Sequence, residues 1–91
     1  MNDKEEVVPI RDIGDKVSVR HLSFFNEKLD RLTSAWTPHI EVDGEMLKIR
    51  DPNNPLGFIT ADTRHKARKI AIQVRDEMRK HLWERSQSDA Q

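Results

Sequence analysis

From Val17 onward the apolar residues fall into a helical rhythm. Leu22, Phe25, Leu29, Leu32 and Trp36 are spaced 3, 4, 3 and 4 apart, which predicts an amphipathic helix with one buried face. Ser18 or Ser23 is placed to cap it, Glu27 suits the positive end of its dipole, and Pro38 stops it. The rhythm then shortens to alternation over residues 39–50. Asp43-Gly44 between alternating apolar positions predicts a hairpin with a type I′ turn, which needs positive φ at both central residues. Pairing Val42 with Glu45 and Ile40 with Leu47 places Ile40, Val42, Leu47 and Ile49 on one face. Asp51-Pro52-Asn53-Asn54-Pro55 reads as a loop, and residues 56–60 as a third short strand. The last segment is the clearest. Ala67, Ile70, Ala71, Val74, Met78 and Leu82 trace one apolar face of a helix, with Thr60, Asp62 or Thr63 as the cap.

The expected fold is therefore α+β: helix, three-stranded antiparallel sheet, helix (α-β-β-β-α), with both helices on one face of the sheet. Residues 1–15 read as a mobile leader, with a short strand over 5–10 that Pro9 would confine to a sheet edge. Residues 16–85 form the single domain and 86–91 a frayed tail. The expected core holds Leu22, Phe25, Leu29, Leu32, Ile40, Val42, Leu47, Ile49, Ala67, Ile70, Val74 and Met78.

Composition narrows the picture. Leu, Ile, Val and Phe supply 22 of the 91 residues. That is about 24 %, just above the ~20 % below which chains tend to stay disordered, so the core is thin. The absence of cysteine removes a disulfide framework, a zinc knuckle and a thiol nucleophile. No long apolar run predicts a membrane span, and the acidic start is unlike a secretory signal, so the expected location is cytoplasmic.

Lys and Arg number 16, as do Asp and Glu. The balance hides an asymmetry: residues 1–62 carry 8 basic and 12 acidic groups, residues 63–91 carry 8 and 4. At 100° per residue, His65, Arg68, Ile72, Arg75, Arg79 and Trp83 share one outward sector of the last helix, and Arg64 begins the basic run beside them. A row of arginines suits phosphates or an acidic partner. Ile72, Trp83 and Phe24 are large apolar groups outside the expected core, which suits a protein–protein contact with an arginine rim, or a homodimer.

Two segments carry a family likeness. Thr63-Arg64-His65-Lys66-Ala67-Arg68, with Ala71 and Ile72 after it, and Ser23-Phe24-Phe25-Asn26-Glu27 resemble the two helices of the double-stranded RNA-binding domain, over residues 18–83. The resemblance implies a helix–three strands–helix fold. It further implies that Glu27 meets the minor groove of an RNA duplex, and that the start of the second helix meets phosphates. The sequence departs from that family's pattern at its Gly-Pro-His loop and at the glycines before the second helix, and His65 stands where a lysine is usual.

Catalytic signals are weak. The histidines, His21, His39, His65 and His81, are scattered, and His81 with Glu84 is the one metal-like pair. No glycine-rich phosphate loop is present. The expectation is a non-enzymatic binding module without cofactor or metal. Its partner would be duplex nucleic acid or an acidic protein, with no membrane attachment.

Overall fold

The structure, a computed structural model, describes residues 10–89. Its element order is β-β-β-α. Strands β1 (Ile13–Asn26), β2 (Arg31–Val42) and β3 (Glu45–Lys48) form an antiparallel sheet in the order β1-β2-β3, and helix α1 (Arg64–Asp89) packs against one face. The expected N-terminal helix is not there. Its residues form most of β1, a four-residue turn and the first half of β2.

The turn explains the difference. Asn26 Oδ1 accepts from the backbone N–H of Lys28 (3.0 Å) and Leu29 (3.2 Å), an Asx turn. Asp30 then takes a left-handed φ of 54°, so the chain reverses and Asn26 faces Arg31. The flanks favour extended backbone, being rich in β-branched residues: Val17, Val19, Thr33, Thr37, Ile40 and Val42. The 3-4 spacing that imitates a helix is shared between two strands: Phe25 pairs with Leu32, and Leu22 with Ala35. Three residues expected in the core are instead exposed, Phe25 at 56 %, Leu29 at 53 % and Leu32 at 74 %.

The Asp43-Gly44 hairpin forms as expected, with Val42 opposite Glu45 and Ile40 opposite Leu47. Asp43 and Gly44 have φ of 50° and 88°, both positive as a type I′ turn demands. Leu47 has the expected register yet is exposed, because α1 packs on β1 and β2 and does not reach over β3. Residues 56–60 form no strand. Ile59 N–H donates to Ile49 O (2.8 Å), and Trp36 and Ala61 exchange two backbone hydrogen bonds (2.8 Å each), so this segment continues the edge beyond β3 in isolated bridges.

The core centres on Ile13, Ile40, Val42 and Ala71, with Ile10, Val17, Ile49, Val74, Met78 and Leu82 packed around them. Ala67 is fully buried and Ile70 only half-buried. Ile13 corrects the leader boundary, since β1 begins there and its side chain lies inside. The expected strand over 5–10 falls outside the described residues apart from Ile10, which is not in a strand. At the other end α1 continues to Asp89 through the segment expected to fray, and 90–91 lie outside the described residues. Thr63 caps the helix, its Oγ1 accepting from Lys66 N–H at 3.1 Å.

Alternation along β1 sorts the two faces of the sheet. Val17, opposite Ile40, points at α1, so Val19, His21, Ser23 and Phe25 share that side, while Ser18, Arg20, Leu22 and Phe24 take the other. The molecule is flat and extended, 55 × 40 × 20 Å with a radius of gyration of 16.0 Å. A compact chain of this length would have about 12 Å; a long β1–β2 ribbon and a 26-residue helix account for the excess.

Candidate nucleic-acid interface

The outward row expected on α1 divides in two. Arg64, His65 and Arg68, on the first two turns, are exposed. Lys66 beside them pairs with Asp62 at 3.1 Å across one helical turn, an interaction that holds the Asp62 carboxyl below its ordinary pKa. Further along, Arg75 and Arg79 turn inward to the start of β1. Arg75 Nη1 donates to Asp15 O at 2.8 Å, and its Nε contacts Asp76 at 3.0 Å. Arg79 Nε donates to Ile13 O at 3.1 Å, and Nη2 pairs with the Asp15 carboxylate. The hydrogen bond and charge of Arg79 hold Asp15 below its usual pKa, and Asp15 in turn raises that of Arg79. These two guanidinium groups clasp α1 to β1.

The remaining expected residues lie apart. Ile72 is half-buried on α1. Trp83 is 63 % exposed, one turn beyond Arg79 and therefore near the end of the sheet where β1 begins. Phe24 belongs to the other end of β1, eleven residues from Ile13, about 36 Å of extended chain. Phe24 lines a cleft of about 600 Å³ with Phe25, Asn54, Pro55, Leu56 and Thr60. Phe24, Ile72 and Trp83 therefore do not form one continuous patch. Glu27 sits in the β1–β2 turn, exposed, on the rim of that cleft and not on a helix.

The sheet adds a feature that the sequence did not signal. His39 is buried on the face away from α1, its Nδ1 3.2 Å from Thr37 O. Burial lowers its pKa, opposed by the Thr37 hydrogen bond and reinforced by the charges of Arg20 and Lys48. Lys48 Nζ stands 4.4 Å from the centre of the Phe58 ring. These neighbours stand nine to nineteen residues apart in sequence and are brought together by strand pairing, which is why no single local motif announces them. On the opposite face His21 and Trp36 meet edge-on, ring centres 5.0 Å apart. His81 Nδ1 and Glu84 Oε1 are 3.8 Å apart on an exposed turn, and among the described residues no three potential metal ligands cluster.

The described residues thus define a small α+β domain, an open three-stranded sheet backed by one helix, and no helix in it is long and apolar enough to cross a membrane. No family model matches the chain, and comparison with curated proteins and with solved structures found no match.

Proposed function

We propose that the chain is a small cytoplasmic binding module, not an enzyme, that engages duplex nucleic acid, RNA foremost, through the start of α1. The observation that carries this reading is the exposed basic run at the start of that helix. Arg64, His65, Arg68 and Lys69 are exposed with no carboxylate in contact among the described residues, and Lys66 alone is paired. Such a cluster attracts phosphates by charge without reading bases. Arg75 and Arg79 do not contribute, since Ile13 and Asp15 hold them. Attraction to the duplex rests on the helix start and does not need the absent first helix; the preference for RNA would come from its 2′-hydroxyls, which Glu27 in the β1–β2 turn is exposed to meet.

Fluorescence anisotropy with RNA and DNA duplexes of about 20 bp tests it. Affinity for RNA should exceed that for DNA and fall steeply between about 50 and 200 mM salt. Replacing Arg64 and Arg68 together with Ala should flatten the salt slope by about two, roughly one per lost phosphate contact. No binding to either duplex at the lowest salt ends this reading. A protein partner is the second reading, and the exposure of Trp83 favours it.

A further inference from the structure

We propose that the open edge of β1 accepts an acidic, extended peptide as a fourth strand of the sheet. β1 is an outer strand, and from Lys16 to Asn26 its far edge has no backbone partner among the described residues. The start of that edge is already closed. Arg79 and Arg75 donate to the carbonyls of Ile13 and Asp15, as a neighbouring strand would, and the register shifts between Ile13 and Val17. Bulges and covering side chains are how proteins blunt sheet edges. The rest carries no such cover: eleven residues, about 36 Å of alternating donors and acceptors.

Charge selects the occupant. Between Lys16 and Asn26 the strand bears Lys16, Arg20 and His21 and no carboxylate. Of the two carboxylates that flank it, Asp15 is neutralised by Arg79 and Glu27 lies in the turn beyond the edge. A strand with Glu or Asp at alternate positions therefore sets carboxylates against Lys16 and Arg20, and the residues between them meet Val17 and Val19. A second copy of β1 would bring the same cations to the seam, like against like. A nucleic acid supplies negative charge but no ladder of N–H and C=O groups to match the edge. The proposal is independent of the duplex reading.

The probe is a fluorescein-labelled octapeptide of alternating Glu and Val, with a Lys-Val counterpart, measured by anisotropy and by residue-resolved amide exchange on the whole chain. The Glu-Val peptide should bind at least about tenfold tighter than its counterpart. It should slow exchange at alternate amides between Val17 and Asn26. Arg20→Glu, with unchanged circular dichroism, should abolish the preference. Equal binding of the two peptides, or protection elsewhere, overturns the proposal. So does a dimer of the free protein that already protects these amides, or a duplex that protects them as well. Loss of duplex binding in the Arg64→Ala/Arg68→Ala variant with β1 protection retained separates the two surfaces.

Discussion

His39 shows how one buried side chain couples this fold to pH. Burial, aided by Arg20 and Lys48, depresses its pKa below the ordinary 6.5. The unfolded chain therefore takes up a proton at a pH where the folded chain does not. The stability associated with neutral His39 is fully present above about pH 6.5 and is lost as pH falls through the depressed folded value. Urea midpoints should decline from pH 7 toward pH 5, and His39→Gln should flatten that decline. The carboxylates of Asp15 and Asp62 act in a separate window: held below 3.8, they add stability that is lost only as pH drops beneath that value. A second residue-scale test lies at Gly14, where a Cβ would meet the Glu41 side chain. Gly14→Ala should cost stability while Glu41 is present and little once Glu41→Ala has cleared the space. A double-mutant cycle should give a coupling of about 0.5–1 kcal/mol.

Turns and clasps decide the elements. Gly44, at φ 88°, completes the β2–β3 turn, so Gly44→Ala should destabilise by about 1–2 kcal/mol, the cost of a side chain in left-handed backbone. Chemical denaturation read by tryptophan fluorescence checks this. The arginines of α1 should separate by role. Arg79→Ala removes the link to Ile13 and Asp15 and should lower the thermal midpoint more than Arg64→Ala or Arg68→Ala, whose exposed side chains make no hydrogen bond or ion pair among the described residues. Equal losses in all three would deny the division of the row. The helix period was enough to place Arg75 and Arg79 beside each other. It was not enough to say that they faced β1, because the strand beside them was itself expected to be leader and helix.

At the scale of the molecule, a thin core is spread over a flat sheet, and large apolar groups remain outside it: Phe25, Leu29, Leu32, Leu47 and Trp83. Trp83 lies outside the packed face of α1, so Trp83→Ala should leave circular dichroism and the unfolding midpoint nearly unchanged. If a protein partner docks there, its affinity should fall by about 2 kcal/mol or more; phosphate-driven duplex binding should change much less. Should Trp83→Ala unfold the domain, the partner reading of that face loses its support.

Local chemistry alone determined three things about this protein. The Asp43-Gly44 turn with its register, the start of α1 with its cap among Thr60, Asp62 and Thr63, and the face of α1 from Ala67 to Leu82 are each written in local sequence. Only the tertiary structure decided the first half of the chain. There a 3-4 spacing fits an amphipathic helix and two paired strands equally well, and the choice fell to contacts between residues far apart. Val17 meets Ile40 across the sheet, Trp36 bonds Ala61, and Arg79 reaches back to Ile13. The same long-range pairing buried His39 between Arg20 and Lys48 and left the edge of β1 open, because strand neighbours are chosen by the whole fold and not by the sequence on either side of them.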